Sequence, residues 1–258
     1  MSRLHSVQAG NGPVLVVLHG LFGSVDNFRT VSLHMERSLS VVRIDLPGHG
    51  QSPSLPELSI GAMADAVLDE LEALGIKDHY LLGHSLGGKV ALAMAGSERS
   101  NGMDKLCIID IAPRHYRPSH QPIFDALSGL DLQALKDRRD ADRQLQSSIP
   151  DAGVRAFVLK SLYQHDSGRF RWRFDLARLA TDYPLLCDAP VTTRRIESPV
   201  MFVKGGDSDY LSSDDEPAIK AICADPSLKI ILGAGHWPHA EKPGQFTRIC
   251  QEFLIGQN

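Results

Sequence analysis

Gly83-His84-Ser85-Leu86-Gly87 is a G-x-S-x-G pentapeptide whose surroundings make Ser85 a candidate nucleophile. An apolar run, Tyr80–Leu82, leads into it, and a good helix former, Val90-Ala91-Leu92-Ala93-Met94-Ala95, follows. A serine thrust out at such a strand-to-helix turn sits on strained backbone. Its neighbours two positions away must then be small, as Gly83 and Gly87 are. The helix N-terminus also favours negative charge developing beside it. The same stretch reads as Gly83-x-x-x-x-Gly88-Lys89, but Val90 stands where a phosphate-binding loop carries the Ser or Thr that holds magnesium. Nucleotide binding is therefore rejected.

Such a serine needs a base, and imidazole takes and returns a proton near neutral pH. Gly233-Ala234-Gly235-His236-Trp237 follows the last apolar run, and its glycines let a loop carry His236 back toward Ser85. Ten other histidines need duller explanations. His5, His34, His79, His115, His120 and His165 read as surface or capping residues, and His239 as structural. His84 flanks the nucleophile, packing in the turn and offering a contact to substrate. His19-Gly20-Leu21-Phe22-Gly23 follows the run Val14–Leu18, where a main-chain N–H can meet an oxyanion. The expected donors are the N–H of Leu86 and that of Leu21 or Phe22, with His19 a structural partner of the loop.

These residues must be held by a scaffold, and the pattern of the chain says which kind. Apolar runs at Val14–Leu18, Val41–Ile44, Tyr80–Leu82, Leu106–Ile111, Val200–Val203 and Leu228–Leu232 alternate with amphipathic stretches near 25–38, 60–74, 86–96, 213–224 and 241–254. That alternation predicts an α/β fold with a mostly parallel sheet, several strands being covered on both faces. From Ala112 to Ile196 the alternation stops and the composition changes, with 14 Lys and Arg against 10 Asp and no Glu. An insertion of that kind between two core strands reads as a lid, residues 112–196, on a core of 1–111 and 197–258.

The chain has 258 residues, a formal net charge of −4 and a composition ordinary for a globular protein, which gives no reason to expect nucleic acid as a partner. Cys107, Cys187, Cys223 and Cys250 have no metal-ligand spacing and read as reduced buried thiols, so no metal is expected. No run approaches membrane-spanning length, and the first residues lack the apolar stretch of a secretory signal. A cytoplasmic protein without membrane insertion is expected.

With Asp45-Leu46-Pro47-Gly48-His49-Gly50-Gln51-Ser52 and Glu241-Lys242-Pro243 added, these motifs resemble the α/β-hydrolase superfamily along nearly the whole chain. Asp45 reads as a turn-stabilising residue. His19 to Ser24, Ile109-Asp110-Ile111-Ala112-Pro113, Trp172-Arg173-Phe174 and Gly205-Gly206-Asp207-Ser208 are similar to YbfF-like bacterial esterases. The resemblance implies the α/β-hydrolase fold: a mostly parallel eight-stranded sheet flanked by helices, with a helical cap inserted between strands 6 and 7. The superfamily's usual acid position, shortly after the run Val200–Val203, falls here on Ser208, flanked by Asp207 and Asp209. Asp110 is the other candidate. The likeness to the YbfF-like esterases favours Asp110, with Ser208 as a further hydrogen-bonding member of the group.

The chemistry implied is two-step acyl transfer by Ser85 and His236, on a small-molecule ester or thioester and without a cofactor. In the cap, Phe170, Trp172, Phe174 and Leu176 alternate with Arg169, Arg171, Arg173 and Asp175, an apolar row opposite a charged one if extended. The bland explanation is that the aromatics anchor the lid while the arginines face water. The sharper one is that Trp172, Arg171 and Arg173 contact substrate, the arginines holding an anionic group such as that of an acyl-CoA. Carbon–carbon bond hydrolysis, perhydrolysis and a non-catalytic ligand-binding protein on the same scaffold stand as alternatives.

Overall fold

Short runs of Val, Leu and Ile become the middle strands of one sheet because both of its faces are covered. The computed structural model describes residues 3–100 and 102–256; Met1, Ser2, Asn101, Gln257 and Asn258, which include both ends of the sequence-derived core, lie outside the described residues. Strands β1 (Ser6–Ala9), β2 (Val14–Leu18), β3 (Ser40–Ile44), β4 (His79–His84) and β5 (Met103–Ile109) precede the insertion. Within it come a two-stranded hairpin, β6 (Leu162–Gln164) and β7 (Phe170–Trp172), and after it β8 (Val200–Gly205) and β9 (Pro226–Ile231). The main sheet has the order β1-β3-β2-β4-β5-β8-β9, and only β1 pairs antiparallel. Among the described residues it has seven strands rather than the expected eight, and the insertion lies between the fifth and sixth in chain order, with two strands following it as expected.

Alternate residues of β2 separate two apolar layers. Val16 and Leu18 join helices α2 (Ile60–Ala73) and α3 (Leu86–Ala95), while Leu15 and Val17 join α1 (Arg29–Met35) and α10 (Pro243–Ile255). Helix α3 is buried at all ten positions, as a helix apolar on every side must be. The edges are less covered. Strand β1 has half-exposed residues and no apolar run, so the pattern does not announce it. On β9, the opposite edge of the sheet, Leu228 and Ile230 are 53% and 47% exposed, and helix α8 (Glu216–Ile222) buries none of its seven residues.

The insertion holds α4 (Gln121–Ser128), α5 (Arg138–Leu145), α6 (Ala152–Leu159), the hairpin and α7 (Leu176–Cys187). Its apolar residues, Phe124, Leu145, Val158 and Leu179 among them, belong to the same continuous cluster as Val16 and Leu18 of the sheet. It therefore shares the core of the fold instead of owning one. Backbone bonds fasten it to the loop after β3: Gly50 N–H donates to the Arg173 carbonyl at 2.6 Å, and Asp175 N–H to that of Gly48 at 2.8 Å.

Lys89 of α3 makes a second attachment. Its ammonium donates to the carbonyls of Leu186, Cys187 and Asp188 at 3.1, 2.9 and 2.6 Å, at the negative end of the α7 dipole. The lysine of the phosphate-loop lookalike is thus spent on the cap. Burial pulls this ammonium down to about 8, although the neighbouring Cys187 and Asp188 oppose the shift. Lys89→Met keeps the stem but leaves three carbonyls without this donor. A loss of about 2 kcal/mol is expected, read as a lower urea midpoint at unchanged slope; an unchanged midpoint contradicts this role.

Candidate active site

The C-terminal ends of β4, β5 and β8 deliver the polar residues to one crevice, where parallel sheets of this kind leave an opening. Ser85 follows β4 directly and has φ 52° and ψ −118°, a left-handed backbone that few non-glycine residues adopt. Flanking glycines permit it. A Cβ on Gly83 would lie 2.2 Å from the Gly87 carbonyl oxygen, and one on Gly87 would lie 2.5 Å from that of His19. Only two other non-glycine residues among those described have positive φ, Phe22 at 61° and Asp110 at 50°, and both lie in the same crevice.

His236 Nε2 is 3.0 Å from Ser85 Oγ, and His236 Nδ1–H donates to Asp110 Oδ2 at 2.7 Å. Of the candidate acids, Asp110 alone reaches the imidazole. It is fully buried one residue beyond β5, and its charge is met by two further donors, the Gly205 N–H at 2.9 Å and the Ser208 hydroxyl in a very short contact. Asp207 and Asp209 are exposed on the loop after β8 and carry no bond to His236.

The oxyanion side corrects one expectation. The Phe22 N–H donates to His49 Nε2 at 3.2 Å, so it is engaged. Leu86, the first residue of α3, and Leu21 have N–H groups with no partner among the described residues. His19 and His49 scaffold this loop as neutral rings. His19 donates from Nδ1 to the Gly20 carbonyl and accepts the Leu46 N–H at Nε2, at 2.8 and 3.0 Å. His49 likewise donates from Nδ1 to the Pro47 carbonyl at 3.1 Å. Asp45 accepts the N–H groups of Val25 and Gln51 at 2.7 and 2.9 Å, as a turn residue does. His84 donates from Nε2 to the His236 carbonyl at 2.8 Å, fixing the backbone of that residue.

A cavity of about 240 Å³ opens over Ser85 and His236. Gly20, Leu21, Phe22 and His84 form its floor, and the cap residues Ile123, Val154, Phe157 and Val158 form an apolar roof. Trp237, His120 and Tyr210 complete the wall. Trp172, Arg171 and Arg173 do not line it. Trp172 stacks on Phe174 with ring centroids 5.4 Å apart, Arg171 is exposed, and Trp172 and Arg173 border a separate cleft against residues 48–54. Alternation had put the aromatics on one face and the arginines on the other; in the structure Phe174 is buried against Phe22, ring centroids 5.2 Å apart, while Arg171 is exposed. Sequence reasoning missed the apolar roof and the two polar residues, His120 and Tyr210, because nothing in a short cap helix marks which face looks down on a serine elsewhere in the chain. Among the described residues no cluster of three or more His, Cys, Asp or Glu is arranged to hold a metal, and no helix is long and apolar enough to cross a membrane. The four thiols are free and buried.

Burial holds several imidazoles near this crevice far below their usual 6.5: His19 and His120 at about 4, His49 and His239 at about 3. Neighbouring imidazoles add to the effect at His49, His120 and His239, and at His84, which is also pushed well down. The unfolded chain takes up protons as pH falls through 6.5, while the folded chain resists until its own lower values. Stability is therefore lost from pH 6.5 downward. Each such ring contributes roughly 2 kcal/mol of loss between pH 7 and pH 5. Urea unfolding at those two values should show a steep fall in midpoint; equal midpoints contradict neutral buried imidazoles.

Residues 15–249 match the Alpha/beta hydrolase family. The chain is 33% identical to Esterase YbfF of Escherichia coli (strain K12), across 96% of this chain and 94% of that protein. It is 34% identical to the sn-1-specific diacylglycerol lipase ABHD11 of Xenopus laevis, across 94% of this chain and 80% of that one. A solved structure described as a marine microorganism esterase superposes with a TM-score of 0.94 at 31% identity, covering 98% of this chain and 99% of its own. With its profile, its full-length relatives and its sheet in agreement, the chain belongs to the alpha/beta hydrolase family.

Proposed function

We propose that this protein hydrolyses carboxylic esters through an acyl-enzyme on Ser85. One observation carries the reading: Ser85 Oγ, His236 and buried Asp110 lie in hydrogen-bonded series, at 3.0 and 2.7 Å, with Ser85 and His236 bordering a mostly apolar cavity. With Nδ1–H held by Asp110, Nε2 carries the lone pair that takes the Ser85 proton. Ser85 attacks the ester carbonyl, and the N–H groups of Leu86 and Leu21 receive the oxyanion. His236 returns the proton to the leaving alcohol, and Asp110 stabilises the imidazolium formed in between. Water then enters, gives its proton to His236 and releases the acid. No cofactor takes part. Ser208 is a positioning residue, holding the Asp110 carboxylate for His236.

The names of the relatives, esterases and a diacylglycerol lipase, support an ester as substrate. The lining narrows it. No Lys or Arg borders the cavity, so the reading favours a neutral ester over an acyl-CoA, whose thioester would undergo the same two steps. A space of about 240 Å³ is also below the usual range for pockets that enclose larger ligands, which favours short acyl chains.

Steady-state hydrolysis of p-nitrophenyl esters from acetate to palmitate tests this. Activity should be highest at the short end and vanish in Ser85→Ala. A wild type that neither turns over any ester nor reacts at Ser85 with a fluorophosphonate refutes the reading. Asp110→Asn should lower kcat by about a thousandfold or more, and Asp207→Asn only slightly. The reverse result would transfer the acid role to Asp207.

A further inference from the structure

The hydroxyl of Tyr183, on cap helix α7, accepts the main-chain N–H groups of Ser119 and His120 at 3.1 and 3.0 Å. Both of its lone pairs are then occupied, so its own proton must be donated. Its short contact is with His120 Nδ1, at 2.5 Å. The Cys187 thiol also neighbours this hydroxyl, but sulfur is the weaker acceptor. His120 Nδ1 is therefore an acceptor, and a neutral imidazole with Nδ1 accepting carries its proton on Nε2.

That Nε2–H faces the hydroxyl oxygen of Tyr210 at 3.2 Å. A lone pair of Tyr210 is thereby taken, and its O–H has no acceptor among the described residues. Tyr210 and His120 both border the catalytic cavity, on a wall shared with Trp237 under the roof of Ile123, Val154 and Phe157. Burial keeps the phenol protonated, at about 12. The Tyr210 ring also stacks on the His236 imidazole, with centroids 3.8 Å apart and planes 20° apart. The part of a substrate beside His236 is the leaving alcohol, because His236 returns its proton there.

From this geometry we infer that Tyr210, oriented by His120 and Tyr183, donates a hydrogen bond to a second oxygen on the leaving alcohol, and so selects esters of diols or polyols over plain alkyl esters. The inference rests on the ester-hydrolase reading and deepens it. An alkyl leaving group leaves this donor unpaired in a desolvated cavity, and buried donors built for a partner discriminate against substrates that lack it.

Two nearly isosteric substrates isolate the effect: 2-hydroxyethyl butanoate and propyl butanoate, which differ by a hydroxyl in place of a methyl group. The readout is the ratio of their kcat/KM values, followed by pH-stat titration. Wild type should favour the hydroxyethyl ester by about tenfold or more. Tyr210→Phe keeps the stacked ring and should bring the ratio close to one, whatever happens to the common rate. His120→Leu should lower the ratio as well, since the phenol loses the group that orients it. A wild-type ratio near one, or an unchanged ratio in Tyr210→Phe, overturns the inference while ester hydrolysis stands. Loss of both activities in equal measure has the same meaning, because the ring would then act only on His236. Failure of wild type to cleave either ester overturns the inference together with the reading beneath it.

Discussion

Everything in this site depends on holding one serine in a left-handed conformation between a strand and a helix. The angles at Ser85 are tolerable only because Gly83 and Gly87 let backbone approach backbone at distances that no Cβ permits. The cost is met by what surrounds it: β4 is paired on both sides, and α3 is buried along its whole length. Phe22 and Asp110 share this unusual backbone, so the floor of the crevice is strained at three separate points. A loose scaffold would relax all three. A sheet covered on both faces does not.

The interior around the serine is organised by uncharged imidazoles. His19, His49 and His84 each make specific bonds with main-chain groups, and burial keeps those three rings neutral. They let polar loops pass through an apolar interior without introducing charge. Asp110 is a buried carboxylate among them, and three donors converge on it, from Gly205, Ser208 and His236. Its negative charge is thereby directed toward the Nδ1 edge of one ring.

Much of this was legible in the residues. Ser85 and His236 stand out because glycines crowd around them and apolar runs precede them. The middle strands are legible because a strand covered on both faces is apolar throughout. The edges were not: β1 is short, half-exposed and polar at alternate positions, and the apolar run Leu228–Leu232 gave no sign that Leu228 and Ile230 of β9 face outward. The acid was ambiguous because three aspartates were in reach along the chain, and only the bend after β5 aims one of them at His236. The choice for Arg171 and Arg173 between facing water and holding substrate stayed open for a related reason. Alternation tells which residues share a face of a strand, but not what that face looks upon.

Asp110 lies just before the insertion, so the Ser85–His236–Asp110 series and the roof above it have different origins in the chain. Ser85, Asp110 and His236 descend from the sheet, whereas Ile123, Val154, Phe157 and Val158 come from the insertion. A recombination joint placed just after Ala112 would exchange the roof and leave the acid behind; one placed a few residues earlier would carry the acid across with it.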